Sequence, residues 1–159
     1  MIRKLTLAAA LLSAPMAFAD SHGMELTGDA EAGENLFNRN CVACHVVRDE
    51  DDNVLAGRNG RTGPNLYRIA GRASGSIEGF RYSSLAEAAH DAGLVWDEDN
   101  FAAYVPNATD FLSEFTGERG RSTMTPQRVS EDEARDIYAF IASFGVTEAM
   151  DEEMEEESN

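Results

Sequence analysis

The chain of 159 residues is poor in cysteine, in long apolar runs and in positive charge. It has only 2 cysteines, so a zinc site made of several Cys and His pairs is excluded. No apolar run approaches the length of about 20 residues that a membrane-spanning helix needs. With 13 Lys and Arg against 29 Asp and Glu, the formal net charge is −16, which argues against a nucleic-acid partner.

The first 19 residues have the composition of a secretory signal peptide. Arg3 and Lys4 precede an apolar run over residues 5–12, and a small-x-small cleavage signal ends at Ala19. This run is too short to serve as a membrane anchor. We therefore predict that residues 1–19 are removed and that the chain is exported. Because removal takes away the only lysine, every basic side chain of the mature chain, histidine aside, is an arginine.

Both cysteines lie in one short motif, CVACH. In an exported protein Cys41 and Cys44 could form a disulfide, but thiol oxidoreductase motifs usually accompany a βαβ pattern, which is absent here. A zinc site would need a second pair of ligands, whereas His22 and His90 are isolated. The pattern C-x-x-C-H is the attachment motif of a c-type haem, with two thioether links and His45 directed at the iron. We predict one covalently bound haem c.

Amphipathic helices are predicted at both ends of the domain. Thr27 or Asp29 can cap the first, whose buried face would contain Gly33, Leu36, Phe37 and Asn40. Ser130 and Glu133 form a capping box for the last, whose apolar residues repeat at helical spacing. Gly145 is a plausible end of that helix.

Shorter helices are predicted between these two. Ser84 can cap a helix that ends at Gly93, and Asp97 can cap a second helix. A third short helix is predicted over residues 109–115. The acidic segment 48–60 fails the calcium-loop pattern and is interpreted as an exposed polar loop. Since no alternating run is long enough for a strand, we predict an all-α, loop-rich domain whose thin core a large apolar cofactor completes.

The spacing of residues leaves the sixth iron ligand open among several candidates. His22 and His90 are the other histidines, and Met24, Met150 and Met154 lie near the chain ends. Met124 is favoured because it lies in a polar segment, GERGRSTMTPQRV, where an apolar core role is less natural. A thioether on a loop is a suitable ligand for haem iron.

Over residues 28–145 the chain resembles the class I c-type cytochromes, and most of all the long cytochromes c2, relatives of mitochondrial cytochrome c. The stretches GENLFNRNCVACH, TGPNLYRIAGRASGSIEGFRYS, GLVWDEDNFAAYV and STMT occur in the order expected for that family. The resemblance implies a domain over residues 20–147 in which the terminal helices cross and short helices and loops surround one covalent haem. Residues 148–159 are predicted to form an acidic, disordered tail.

The resemblance also implies a role for each matching residue. Cys41 and Cys44 would hold the haem, with His45 and Met124 as axial iron ligands. The backbone carbonyl of Pro64 would accept a hydrogen bond from the ligand histidine. Polar or aromatic side chains would make the other contacts: the haem propionates would be bound by Arg72, Tyr82 and Trp96, and the methionine sulfur would be contacted by Tyr104. Gly33 and Phe37 would meet Ile137 and Phe140 where the terminal helices cross.

The function implied is that of a monomeric, periplasmic one-electron carrier without enzymatic activity. Its donor would be a quinol-oxidising cytochrome bc complex, and its acceptor an oxidase, a photosynthetic reaction centre or a denitrification enzyme. The lysines that the family usually carries near the haem edge are missing from this chain. Three explanations are possible: Arg119, Arg121 and Arg128 replace them, the partner surface is basic, or the acidity is an adaptation to a saline habitat. A haem protein with an open sixth site and a subunit of a larger complex remain alternatives.

Overall fold

The computed structural model describes residues 26–147, so the predicted signal peptide and acidic tail lie outside the described residues. Within this range the chain forms five helices and one two-stranded sheet. None of these helices is long and apolar enough to cross a bilayer. In chain order the elements are α1 (Ala30–Asn40), β1 (Val46–Arg48), β2 (Val54–Gly57), α2 (Ser84–Asp91), α3 (Glu98–Tyr104), α4 (Ala108–Thr116) and α5 (Glu131–Ala142).

Side-chain caps begin the helices. The Asp29 carboxylate accepts hydrogen bonds from the first turn of α1, and the predicted capping box of Ser130 and Glu133 is present at α5. The prediction for α2 is wrong by one residue: Ser83, in extended conformation, is the N-cap, and Ser84 is the first helical residue. Two adjacent serines offer equivalent hydroxyls, so the local sequence does not distinguish between them.

The terminal helices α1 and α5 pack closely against each other at a glycine. A Cβ atom on the buried Gly33 would lie only 1.9 Å from the carbonyl oxygen of Asp136, so any side chain there would clash with the α5 backbone. Beside this contact the rings of Phe37 and Phe140 lie 5.4 Å apart. The structure therefore confirms that the missing side chain of Gly33 admits the partner helix.

A β-hairpin follows the CVACH motif where the sequence predicted only loop. β1 and β2 are antiparallel, with Val46 opposite Gly57 and Val47 opposite Ala56. The Asp49 carboxylate closes the turn by accepting the backbone N–H groups of Asp51 (3.1 Å) and Asn53 (2.8 Å). The strands contain 3 and 4 residues, too few to show the alternation by which strands are predicted.

Backbone hydrogen bonds hold the loop after the hairpin against the segment before α3. The N–H of Gly71 donates to the Trp96 carbonyl (2.9 Å), and the N–H of Trp96 donates to the Arg72 carbonyl (2.9 Å). The buried hydroxyl of Tyr138, on α5, donates to the same Trp96 carbonyl (2.8 Å). The crossed helices and the loops are thereby joined at Trp96, which brings side chains from distant segments to one cavity.

Candidate cofactor site

A single cavity brings together all nine residues that the sequence singled out. Besides these nine, its wall is largely apolar, with side chains such as Leu66, Ile69, Phe80 and Leu112. An apolar wall with a few convergent polar groups suits a large, mostly apolar ligand. The nine predicted residues are Cys41, Cys44, His45, Pro64, Arg72, Tyr82, Trp96, Tyr104 and Met124.

The end of α1 presents the cysteines and the histidine to the cavity. Cys41 is the C-cap residue of α1, and its carbonyl accepts the backbone N–H of Cys44 (3.1 Å) and of His45 (2.9 Å) in a tight turn. Cys41 and Cys44 are not joined by a disulfide. Burial, with a smaller contribution from Cys44, raises the pKa of Cys41 to about 12. A redox-active thiol needs a lowered pKa, so Cys41 is poorly suited to thiol–disulfide exchange.

The imidazole of His45 is fixed by its neighbours on the opposite loop. Its Nδ1 lies 2.9 Å from the Pro64 carbonyl oxygen, which can only accept, so Nδ1 carries the proton and Nε2 keeps a free lone pair. Burial lowers the pKa of His45, which favours the neutral ring that a metal requires, although the Pro64 hydrogen bond opposes this shift.

Gly63 is a site residue that the sequence analysis did not identify. A Cβ atom there would lie 2.3–2.6 Å from three atoms of the His45 ring, so only glycine leaves room for the imidazole. Its place directly before Pro64 in TGPNL is the only signal the sequence offers.

Arg72 and Tyr82 add a cation and a hydroxyl to the otherwise apolar wall. The Arg72 guanidinium donates to the carbonyl oxygens of Asn65 (3.4 Å) and Tyr67. Burial lowers the pKa of Arg72 and raises that of Tyr82, whose hydroxyl accepts the Ile77 N–H (3.3 Å). Donors on a partly buried wall are what an anionic substituent, such as a carboxylate, needs when it leaves water.

Asn65 connects the cavity wall near Arg72 to the hairpin, and the sequence did not identify it as a site residue. Its side-chain carbonyl accepts the backbone N–H groups of Arg48 (3.0 Å) and Tyr67 (3.1 Å), and its amide donates to the Arg48 carbonyl (2.6 Å). The partner residue is 17 positions away, so only the folded chain reveals the contact.

Met124 enters the cavity from the loop between α4 and α5. Its backbone N–H donates to the Ser122 hydroxyl (3.1 Å), and the Ser122 N–H donates to Thr109 on α4 (3.0 Å). Burial raises the pKa of Tyr104, whereas a hydrogen bond with Ser122 opposes the shift. Ser122 therefore organises both Met124 and Tyr104, a role that its position two residues before the methionine only suggests.

Another predicted ligand candidate, His90, does not line the cavity. His90 is exposed on α2, and its Nδ1 lies 2.6 Å from the Ser74 carbonyl oxygen rather than in the cavity wall. His22, Met24, Met150 and Met154 lie outside the described residues. Within residues 26–147, Met124 is the only methionine.

Charge is distributed unevenly around the cavity. Residues 54–82 and 117–130 supply most of its lining and contain eight arginines and two carboxylates, a net charge of +6. The rest of residues 26–147 contains three arginines and 18 carboxylates, a net charge of −15. The cavity therefore opens within the basic part of a strongly acidic protein.

Six of the eight arginines are exposed, and we refer to them as the rim arginines. None forms a salt bridge with a carboxylate of residues 26–147, whereas Arg48, Arg68 and Arg135 do. The two segments that supply most of the cavity lining thus carry exposed cations that form no salt bridge with a carboxylate of residues 26–147. The rim arginines are Arg58, Arg61, Arg81, Arg119, Arg121 and Arg128.

Comparison with known proteins gives the same family along nearly the whole domain. Residues 30–145 match the family described as Cytochrome c, and this range contains every residue that lines the cavity. The cytochrome c2 of Rhodovulum adriaticum is 50% identical over 126 residues, which cover 79% of this chain and 99% of the relative. A cytochrome c2 of Cereibacter sphaeroides is 39% identical over 137 residues, which cover 85% of this chain and 94% of the relative.

Solved structures agree with the sequence comparison. The crystal structure of cytochrome c2 from Rhodobacter sphaeroides superposes with a TM-score of 0.72 at 40% identity, covering 76% of this chain and 98% of the other. The X-ray structure of cytochrome c2 from Paracoccus denitrificans superposes with a TM-score of 0.67 at 33% identity, covering 74% of this chain and 96% of the other.

Proposed function

Because the chain belongs to the cytochrome c family, and is therefore an electron-transport protein with a covalently attached haem c, we propose that it is a periplasmic one-electron carrier. When bound, the haem supplies an iron that changes between Fe(II) and Fe(III). The donor would be a quinol-oxidising cytochrome bc complex. The acceptor would be a terminal oxidase, a photosynthetic reaction centre or a denitrification enzyme.

The observation that carries this proposal is the convergence of Cys41, Cys44, His45 and Met124 on one cavity. The two thiols would form the thioether links that keep the haem in an exported protein. His45 Nε2 and the Met124 sulfur would be the protein's ligands to the haem iron. A histidine and methionine pair raises the reduction potential and leaves no iron position for a substrate, which suits electron transfer rather than catalysis.

The remaining predicted residues would hold and tune the cofactor. The Pro64 carbonyl fixes the orientation of the His45 ring and increases its basicity as a ligand. Arg72, Tyr82 and Trp96 would donate to the haem propionates, and burial of those carboxylates would be costly without such donors. Tyr104, held beside the Met124 loop by Ser122, would contact the methionine sulfur.

We also propose that the cavity rim docks acidic surfaces of redox partners, in place of the family's lysines. The rim arginines lack carboxylate partners among residues 26–147, so an approaching anionic surface would meet cations that need not first break a salt bridge. Oppositely charged surfaces increase the association rate and still allow brief contacts. The acidic remainder of the protein would orient the approach by repelling the same partner.

The function is tested by a reductive titration of the purified holoprotein, followed by exposure of the reduced protein to carbon monoxide. We expect one electron per chain, reversible oxidation and no carbon monoxide binding. Stoichiometric binding of carbon monoxide would show an open sixth position and would favour a gas-binding or catalytic haem protein instead.

A further inference from the structure

The sequence beyond the described domain is a concentrated anionic segment. Residues 148–159 contain seven carboxylates and no arginine or lysine. We refer to this segment as the acidic tail. Its composition matters because the two segments that supply most of the cavity lining carry six exposed arginines of the opposite charge.

The point at which the acidic tail leaves the domain is well defined. Val146 forms a parallel bridge with Ala70. The N–H of Thr147 donates to the Ala70 carbonyl (2.8 Å), and its hydroxyl donates to the Arg68 carbonyl (2.8 Å). Since Ile69 lines the cavity, the tail begins beside the basic segment 54–82 that forms much of the cavity wall.

The acidic tail is long enough to reach a large part of the domain surface. Residues 148–159 can span about 40 Å when extended. A domain of the size of residues 26–147 has a radius of gyration of about 14 Å. Tethering through Thr147 also gives the tail an effective local concentration on the order of millimolar, so weak charge pairing suffices for binding.

We propose that the acidic tail binds the rim arginines of its own chain and competes there with the acidic surface of a redox partner. Six exposed cations without carboxylate partners in residues 26–147 face seven tethered carboxylates. Only the competition rests on the proposed function, because the contact of tail and rim requires no partner. The tail then weakens docking at low ionic strength, and salt removes its effect because exposed charges are screened beyond about 10 Å at 0.1 M.

The contact is tested with two full-length holoproteins in which the same number of carboxylates is neutralised. The tail variant carries Asp151→Asn, Glu152→Gln, Glu153→Gln and Glu155→Gln. The body variant carries Glu31→Gln, Glu34→Gln, Glu87→Gln and Asp91→Asn, at exposed positions on α1 and α2. The arginine Nε–Hε resonances of the reduced proteins are recorded at low and high salt.

We expect the tail variant, but not the body variant, to shift the rim arginine resonances at low salt, and salt to move those of the unmodified protein in the same direction. Identical spectra for the unmodified protein and the tail variant would overturn the proposal. Equal shifts in both variants would also overturn it, since they would show only a change of the overall electric field.

The competition is tested with hexacyanoferrate(III), an anionic acceptor that takes one electron from the ferrous protein. We expect the tail variant to react several-fold faster than the body variant at low salt, and both to react at similar rates at high salt. Equal rates at low salt would contradict competition at the rim. Because this reagent and the resonance experiment need no biological partner, failure of either is distinguishable from failure of the proposed function.

Discussion

The crossing of α1 and α5 and the loops that line the cavity represent two different ways of specifying structure. At the crossing, Gly33 and the rings of Phe37 and Phe140 act through shape. At the cavity, Pro64, Asn65 and Ser122 act through hydrogen bonds that orient other residues. We therefore expect the crossing to determine the stability of the domain, and the loops to determine which side chains it presents to the cavity.

The largest expected effect is on the crossing. Gly33→Val would force the α5 backbone away, and overpacking of this kind costs about 3 kcal/mol or more in the free energy of unfolding. Asn38→Val, on the exposed face of α1, is the matched control and should cost less than about 1 kcal/mol. Denaturant unfolding of the holoproteins measures both. Similar losses for the two variants would contradict the close approach at Gly33.

A substitution at Gly63 separates the chemistry from the fold. Gly63→Ala places a Cβ against the His45 ring, and the displacement should cost about 1–3 kcal/mol. We expect a changed absorption spectrum of the haem iron, whereas Gly33→Val, once folded, keeps the normal spectrum. If Gly63→Ala left the spectrum unchanged, the loop would accommodate the methyl group and the fixed position of His45 would be refuted.

The cap of α2 provides a smaller and sharper test. Ser83→Ala removes the side-chain acceptor of the Ala86 N–H and should lower the free energy of unfolding by about 1 kcal/mol. Ser84→Ala changes an exposed helical position and should have an effect below about 0.5 kcal/mol. Thermal unfolding of the two variants measures both effects. A larger loss of stability for Ser84→Ala than for Ser83→Ala would show that Ser84 is the N-cap.

The rim arginines should affect rates more than stability. Arg121→Gln removes an exposed cation beside Ser122 and should slow the reaction with an acidic partner several-fold at low salt, with little effect at high salt. Glu87→Gln, exposed on α2, should leave that rate unchanged or slightly higher. Stopped-flow kinetics across ionic strength measure both. A rate unaffected by Arg121→Gln at every salt concentration would remove this part of the rim from the docking surface.

The sequence predicted those features whose causes lie close together in the chain. Ser130 and Glu133 form a capping box within one turn of helix, and CVACH contains three of the site residues within five positions. The resemblance to class I cytochromes also predicted that Gly33 lies where the terminal helices cross, and the structure confirms this. The resemblance to class I cytochromes supplied the distant residues Pro64 to Met124, and the structure places them around one cavity.

What the sequence did not predict depends on contacts between distant residues. The hairpin of β1 and β2 is too short for periodicity, and pairing across its turn stabilises it. Asn65 and Gly63 act on Arg48 and His45, both 17 or more residues earlier in the chain. A polar loop residue such as Asn65 or Ser122 has many possible roles, and only the position of its partner selects one.

The central claim is that His45 and Met124 hold the iron of a one-electron carrier. It is tested most directly by a redox titration of Met124→Ala beside the unmodified protein, with Met150→Ala as the control. We predict that Met124→Ala keeps its covalent haem, loses the far-red band of methionine-bound ferric iron and shows a sharply lower reduction potential. An unchanged band and potential would contradict the claim and exclude Met124 as the sixth ligand.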